Sequence, residues 1–252
     1  MQNGPDVIQQ QQWRPIQEPE ESILINISQT TLSPTIRLWH ARYETTFFPT
    51  QNALIRKALH DAKLGTATKK RQAEFWAGRS LMMLAFCQNI PLGKSASGAP
   101  AFPKGRNGAL SHSRENVLLL EGPDDLLFGV DMEPPLVPVS LQAVLSKVAT
   151  EAEQKWLRCL PPEQQVYAAT ILFSAKETLF KLLNREMDIC PCYATVEARE
   201  APNSGSVVFE LTRRSGYGLP AGERFIIMYD RIRENTVTWG IHSPKCTSFS
   251  NR

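Results

Sequence analysis

Three carboxylates and one lysine stand at spacings that would bring them to one place in a folded chain. Asp131 and Glu133 are separated by one residue, so in an extended strand both project to the same side. Glu177 and Lys181 are four residues apart, so in a helix they share one face. Mg²⁺ prefers oxygen ligands of this kind together with phosphate groups. The set therefore predicts a metal site and chemistry on a phosphate or pyrophosphate.

The same residues also have simpler interpretations. Asp131 and Glu133 could end an exposed edge strand, and Glu177 with Lys181 could be a surface ion pair worth about 0.2–0.5 kcal/mol. Two acids on one buried face repel each other unless a cation lies between them, which favours the metal. Lys176 lies off the shared face of Glu177 and Lys181, so it is a candidate for a separate phosphate or carrier contact.

The sequence around these residues resembles a known family, the 4′-phosphopantetheinyl transferases. Residues 129–133 (GVDME) and 173–181 (FSAKETLFK) resemble its signature. Upstream, residues 70–79 (KRQAEFWAGR), 98–105 (GAPAFPKG) and 108–113 (GALSHS) resemble its segments KRQxEFxAGR, GxPxWPxG and GSISHS. The segments occur in the order found in the siderophore-synthase branch, which is similar to enterobactin synthase component D.

The resemblance implies transfer of 4′-phosphopantetheine from coenzyme A to a serine of an apo carrier protein, with Mg²⁺ as cofactor. Asp131, Glu133 and Glu177 would bind the metal on the pyrophosphate. Glu177, or a metal-bound water near it, would take the serine proton. Lys181 and His112 would offset charge on the phosphates as the anhydride breaks. The branch suggests aryl or peptidyl carriers of siderophore synthesis as substrates. The carrier would bind near the surface just past Glu133.

The resemblance also assigns a coenzyme A site. Arg71 and Arg79, eight residues apart on one predicted helix and so on similar faces, would bind the 3′-phosphate. The remaining contacts to coenzyme A would be made to its adenine side and to its phosphates. The residues that would make them are Phe102, Pro103, Lys104, Ser111, His112 and Lys181. Two positions depart from the family pattern: Phe102 replaces the usual Trp, and Ser97 stands where some relatives have Lys. Lys94 and Lys104 are the candidates to supply that contact instead.

Other functions fit some of the same residues. A Mg²⁺-dependent phosphodiesterase or pyrophosphatase could use the same acids, and a catalytically silent module could bind carriers without modifying them. A Ser-His hydrolase is disfavoured, because Ser111 and His112 are adjacent and no Gly-x-Ser-x-Gly segment is present. Cys190 and Cys192 resemble half of a zinc site, but no second Cys/His pair completes it.

Composition sets broad limits on the class of protein. A chain of 252 residues with 42% hydrophobic and 21% charged residues is typical of a globular protein. The net charge of +3 does not argue for nucleic-acid binding, and no transmembrane or secretory segment is visible. Five cysteines without CxxC spacing fit reduced thiols. We expect a cytoplasmic monomer.

The elements that must position these residues alternate between helices and strands. We predict strands at 23–27, 35–48, 117–120, 126–133, 193–199, 206–212, 224–230 and 236–242, and helices at 50–62, 67–89, 140–148, 151–158 and 163–184. The Gly- and Pro-rich segment 91–110 is predicted to be a loop. The resemblance implies an α+β fold of two similar, pseudo-symmetric halves with the active site in the cleft between them. We place the halves at 23–125 and 126–252, after a mobile extension at 1–22.

Overall fold

The computed structural model describes residues 12–17, 22–45, 48, 52–89, 93–94, 99–183, 193–212 and 220–243. Its first sheet is built from five strands in the order β1-β2-β3-β5-β4. The strands are β1 (Arg14–Pro15), β2 (Leu24–Ser33), β3 (Ile36–Tyr43), β4 (Arg106–Ser113) and β5 (Asn116–Pro123). Two helices accompany this sheet, α1 (Ala53–Asp61) and α2 (Lys69–Ala85), and they begin at the side-chain caps Asn52 and Thr68.

The second sheet is also antiparallel, in the order β6-β10-β9-β8-β7. Its strands are β6 (Leu127–Glu133), β7 (Val196–Ala198), β8 (Ser206–Leu211), β9 (Arg224–Ile232) and β10 (Asn235–His242). Three helices follow β6 along the chain: α3 (Pro138–Lys147), α4 (Glu151–Cys159) and α5 (Pro162–Leu183). A short 3-10 helix, Tyr193–Thr195, precedes β7.

Alternation along the buried strands produces four layers. In β5, Val117 and Leu119 belong to the core shared with α2, whereas Leu118 and Leu120 belong to a core that also contains Val130 of the second sheet. The residues of α5 pack on the opposite face of that second sheet. The order of layers is therefore α2, first sheet, second sheet and α5.

The edges of the two sheets come together at the point where chemistry was predicted. Strand β4 is one edge of the first sheet, and β6 is one edge of the second. Ala109 of β4 shares a core with Val130 and Met132 of β6, so Met132 faces that core. The side chain of Asp131 therefore lies on the other face of β6, towards α5.

A glycine allows α5 to approach β6 closely. A Cβ atom added to Gly129 would stand 2.1 Å from the backbone oxygen of Thr178, so a larger residue would push the helix away from the strand. This contact lies two residues before Asp131 and one residue after Glu177. The close approach therefore fixes the distance between the strand and helix that carry the predicted site.

The predicted fold class, α+β with two halves, is confirmed, and so are the predicted helices, with ends shifted by a few residues. The predicted loop 91–110 is wrong at its end, because β4 begins at Arg106 and pairs with β5 along its whole length. The prediction of a mobile extension did not anticipate β1, which pairs with β2 through Arg14 and Pro15. Residues 1–11 and 18–21 of that extension lie outside the described residues, as do 90–92 and 95–98 of the loop.

No helix in the described ranges combines the length and the apolarity that crossing a bilayer requires. Cys87 and Cys159 are free thiols exposed at the surface. Cys190 and Cys192, which were considered as half of a zinc site, lie outside the described residues.

Candidate functional site

Asp131 is the most constrained of the predicted site residues. It is 4% exposed, and each of its carboxylate oxygens accepts hydrogen bonds. Oδ1 accepts from Lys181 Nζ at 2.7 Å and from Ser111 Oγ at 2.9 Å, and Oδ2 accepts from Ser174 Oγ at 2.9 Å. These donors come from β4 and from two turns of α5. The carboxylate is therefore held in one orientation by both halves of the protein.

Lys181 joins the two halves directly. Its ammonium group donates to Asp131, to Ser111 Oγ at 3.0 Å and to the backbone oxygen of Val130 at 3.1 Å. The side chain remains 30% exposed, and the three donors of its ammonium group are all engaged by these contacts. The structure thus brings together Ser111, Asp131 and Lys181, which are distant in sequence.

Glu133 and Glu177 complete the predicted carboxylate set from opposite elements, β6 and α5. Burial, with Asp131 and Glu177 nearby, raises the pKa of Glu133 to about 7, and Lys181 opposes the shift. Burial contributes most, because it disfavours the charged form, and repulsion from the two neighbouring carboxylates acts in the same direction. Glu177 is half-buried and accepts a hydrogen bond from the hydroxyl of Tyr193.

The donor set agrees with a cation in chemistry, although it is not arranged as a closed cage. Among the described residues, no group of three or more His, Cys, Asp or Glu side chains is close enough to hold a metal ion. Asp131 and Glu133 leave β6 on the face towards α5, which carries Glu177, and repulsion from Asp131 and Glu177 adds to burial in raising the pKa of Glu133. A divalent cation would relieve that repulsion, and carboxylate oxygens are the kind of donor that Mg²⁺ prefers.

His112 lies at the end of β4, on the side of Lys181 that faces α2. Desolvation lowers the pKa of its imidazole, Glu74 raises it, and Arg71 and Lys181 lower it further, so all three charges lie nearby. Arg71 binds Glu74 through Nη1 at 3.2 Å. The neutral imidazole is therefore favoured, and it lies near enough to the Arg71–Glu74 ion pair and to Lys181 to feel their charges.

The two arginines predicted to share a helix face differ in environment. Arg71 is about half-exposed and paired with Glu74, whereas Arg79 is 3% exposed. Eight residues at 100° each leave the two side chains about 80° apart, which is enough to separate a surface position from a buried one. The prediction that Arg71 and Arg79 lie on similar faces of the helix is therefore wrong, because one is at the surface and the other is buried.

Arg79 is a buried cation without a carboxylate partner within the described part of the chain. Its Nη1 points at Met82 Sδ at 3.4 Å, its Nε has no hydrogen-bond partner, and its guanidinium lies 4.7 Å from the centre of the Phe75 ring. Burial lowers its pKa to about 10. Lys94 stands over the same ring at 5.7 Å, so two cations flank Phe75. An unpaired guanidinium of this kind is typical of an anion-binding position.

The segment before β4 that was predicted to contact adenine packs partly against the core next to α2. Phe102 is half-buried and meets Phe86 edge to face at 5.9 Å, while Pro103 accepts a hydrogen bond from the Arg106 backbone. Lys104 is exposed next to Gly105, whose φ of 76° suits glycine. Ser97, where some relatives have Lys, lies outside the described residues.

Lys176 does not reach the site. Its side chain is fully buried, and Nζ donates to Glu153 Oε2 at 2.6 Å, to the Val148 oxygen at 2.9 Å and to the Tyr193 oxygen at 3.1 Å. The prediction of a phosphate or carrier contact at Lys176 is therefore wrong. The helix-face argument placed the residue correctly off the face of Lys181, but α4 and the segment at Tyr193 cover that side of α5.

Sequence reasoning missed several residues that hold the site in place. Thr238 of β10 bonds Ser174 at 2.9 Å and Thr178 at 2.6 Å, forming a buried row of hydroxyls behind Asp131. Ser174, three residues before Glu177 on α5, donates to Asp131. Tyr193 contacts Glu177 from a segment sixteen residues later. Only the small polar residues at buried positions of α5 could have indicated these contacts.

The fold and the gathered residues define a two-half α+β protein with carboxylates, a lysine and a histidine at the junction of its sheets. Residues 127–215 match the 4'-phosphopantetheinyl transferase superfamily, and residues 59–120 match the 4'-phosphopantetheinyl transferase N-terminal domain. The two matches together span more than half of the chain, so the chain belongs to the 4′-phosphopantetheinyl transferase superfamily. A search of curated proteins found no match.

Proposed function

We propose that this protein transfers 4′-phosphopantetheine from coenzyme A to a serine of an apo carrier protein in a Mg²⁺-dependent reaction, releasing adenosine 3′,5′-bisphosphate. Membership of the superfamily supports the reaction class. The observation that carries the proposal for this chain is the contact of Lys181 with Asp131 and Ser111. That contact gathers an ammonium, a carboxylate and a hydroxyl between the halves, where a pyrophosphate could lie.

The contacts of each residue at the junction support a specific role in the proposed reaction. Mg²⁺, bound by Asp131, Glu133 and Glu177, would supply charge neutralisation at the pyrophosphate. Lys181 keeps its position through Asp131, and its positive charge can offset the negative charge of a phosphate lying beside it. Glu177 is oriented by Tyr193 and is the candidate base for the serine proton. His112 can donate a hydrogen bond to a neighbouring phosphate without adding a charge.

Coenzyme A would be recognised on the α2 side of the junction. Arg79 is buried without a carboxylate partner among the described residues, and a phosphate would supply the missing negative charge. Arg71 lies near His112 and would contribute a more exposed guanidinium. The half-buried Phe102, with Pro103 and Lys104 beside it, would form the adenine side of the site.

The carrier would approach past the end of β6. After Glu133 the chain leads into α3, where Val137 and Val139 are 56% and 82% exposed, so apolar side chains are offered to a partner next to the carboxylates. Aryl or peptidyl carriers of siderophore synthesis are the substrates that the resemblance favours. A cytoplasmic location and a monomeric state stay predictions from the sequence.

Intact-protein mass spectrometry of an apo carrier tests the proposal. An apo aryl or peptidyl carrier is incubated with the protein and coenzyme A, with Mg²⁺ or with EDTA. The proposal predicts a gain of one phosphopantetheine on the carrier serine that EDTA abolishes. Consumption of coenzyme A without any gain would favour the phosphodiesterase or pyrophosphatase. Carrier binding without turnover would favour the silent module.

A further inference from the structure

A line of buried hydroxyl groups runs from α5 and β10 to the carboxylate of Asp131. Ser174 Oγ lies 2.9 Å from Asp131 Oδ2, and Thr238 Oγ1 lies 2.9 Å from Ser174 Oγ. Thr178 Oγ1 in turn lies 2.6 Å from Thr238 Oγ1. All three hydroxyl residues are 0% exposed, so bulk water does not compete for these bonds. We call Ser174, Thr238 and Thr178 the hydroxyl row.

The protons of the hydroxyl row all point towards Asp131. A hydroxyl has one proton to donate, and a carboxylate paired with an ammonium only accepts. Because Ser174 uses its proton on Asp131, the proton between Ser174 and Thr238 must come from Thr238. For the same reason Thr178 must donate to Thr238 Oγ1. In such a one-way series each hydrogen bond polarises and strengthens the next.

Ser174 departs from the usual behaviour of a hydroxyl in a helix. A helical Ser or Thr commonly donates to the backbone oxygen four residues earlier, and Thr170 does so, to Val166 at 2.7 Å. One turn later, Ser174 donates to Asp131 of another element instead. Thr238 stands directly opposite Asp131 in the pairing of β10 with β6, so both side chains lie on the same face of the sheet. Thr238 is thereby placed to keep Ser174 in this orientation.

The hydroxyl row acts on the oxygen of Asp131 that has an acceptor position left. A carboxylate oxygen accepts about two hydrogen bonds. Oδ1 accepts two, from Lys181 at 2.7 Å and from Ser111 at 2.9 Å. Within the described part of the chain, Oδ2 accepts only from Ser174. The remaining position on Oδ2 is therefore the one that Asp131 can offer to a cation, and Ser174 sets its direction.

We infer that Ser174 and Thr238 are positioning residues of the proposed reaction. Ser174 orients Oδ2 of Asp131, and Thr238 holds Ser174 in its donating orientation. This inference rests on the proposed function, because the orientation of Asp131 affects turnover only if the reaction takes place beside it. Removing a hydrogen-bond partner behind a metal ligand typically lowers metal affinity or activity about 10- to 100-fold. The effect should decrease along the row, from Ser174 to Thr238 to Thr178.

Two substitutions at Thr238 separate positioning from packing. Thr238→Val keeps the shape of the side chain and removes the hydroxyl, whereas Thr238→Ser keeps the hydroxyl and leaves a gap in the core. We expect kcat for carrier modification to fall about tenfold in Thr238→Val and to stay near the wild-type value in Thr238→Ser. Melting temperatures should fall in both variants. Equal kcat values in the two variants would show that Thr238 only packs, and would overturn the inference.

Ser174→Ala and Thr170→Val form a matched pair on the same helix. Both residues are buried, but the Thr170 hydroxyl bonds Val166 and the amide of Leu136 rather than Asp131. Ser174→Ala should lower kcat about 10- to 100-fold. The KM for coenzyme A should not change, because its proposed contacts lie on the α2 side. Thr170→Val should lose stability and keep its kcat. A similar kcat in both variants would contradict positioning by Ser174.

Crystal structures of the same two variants, without carrier or coenzyme A, separate this inference from the proposed function. We expect the Asp131 carboxylate to turn from its native orientation in Ser174→Ala and to keep it in Thr170→Val. This comparison does not depend on transfer, so a wild-type protein that modifies no carrier would refute the proposed function alone. An Asp131 carboxylate that keeps its orientation in Ser174→Ala would overturn the inference, even with an active wild-type protein.

Discussion

Replacing Lys176 by Met should destabilise the protein severely and leave the chemistry of the folded molecules intact. Lys176 and Glu153 have fully buried side chains, and Nζ lies 2.6 Å from Oε2 of Glu153. The variant leaves the Glu153 carboxylate buried without its cation. Two backbone oxygens, those of Val148 and Tyr193, also lose their donor.

The size of the effect follows from these contacts. Removing one partner of a buried ion pair costs about 3–5 kcal/mol. At about 2–4 °C per kcal/mol for a chain of this size, the melting temperature should fall by roughly 6–20 °C. The double variant Lys176→Met/Glu153→Gln should recover part of the loss. Gln removes the buried charge, but its single side-chain oxygen can replace only one of the two carboxylate oxygens, which accept from the backbone amides of Thr150 at 2.7 Å and Ala198 at 2.8 Å.

Calorimetry and steady-state transfer to an apo carrier, measured well below the melting temperature, are the assays. Lys181→Met is the matched comparison from the same helix. It should lower kcat strongly and stability little, since Lys181 is 30% exposed and Asp131 keeps two hydroxyl donors. A Lys176→Met variant with normal stability and the kcat of Lys181→Met would refute the assignment of Lys176 to the core.

Three further predictions concern single residues. Glu177→Gln should lower kcat by several orders of magnitude with an unchanged melting temperature, and near-normal turnover would refute its role as base and ligand. Arg79→Ala should raise the KM for coenzyme A and spare 3′-dephospho-coenzyme A, so an equal loss with both donors would show that Arg79 does not bind the 3′-phosphate. Burial lowers the pKa of His40 below its ordinary value of 6.5, although the Asn116 side chain opposes this. The unfolded chain therefore binds the proton more tightly, and the free energy of unfolding should fall as the pH drops below about 6.5, by at most ~1.4 kcal/mol per pH unit for this group. His40→Gln should flatten that dependence in urea titrations at several pH values, and an unchanged slope would contradict this explanation.

Local patterns predicted the parts of the site that depend on one element. The alternation of Asp131, Met132 and Glu133 indicated which side chains leave β6 together, because a strand offers only two faces. The four-residue spacing of Glu177 and Lys181 indicated one face of α5 in the same way. These rules need no knowledge of what packs against the element.

Contacts between different helices and strands could not be predicted from those local patterns. The sequence placed Lys176 off the active face but contained no sign that Glu153 would cover it. Tyr193 reaches Glu177 from outside α5, so no periodicity within the helix could reveal it. The start of β4 was missed because Gly105 and Gly108 suggest a loop. Gly108 is instead required by close packing, because an added Cβ would stand 2.3 Å from the backbone oxygen of Leu120 and 2.7 Å from the ring of Phe102.

The most direct test of the central claim compares carrier modification by the wild-type protein and by Asp131→Asn, because Asp131 is the residue that both halves hold in place. Carrier mass is followed in time with coenzyme A and Mg²⁺, and a melting curve checks the fold of the variant. The account predicts a phosphopantetheine on every carrier molecule with the wild-type protein and almost none with a folded Asp131→Asn. Equal modification by both proteins would contradict a reaction centred on Asp131, Lys181 and Glu177.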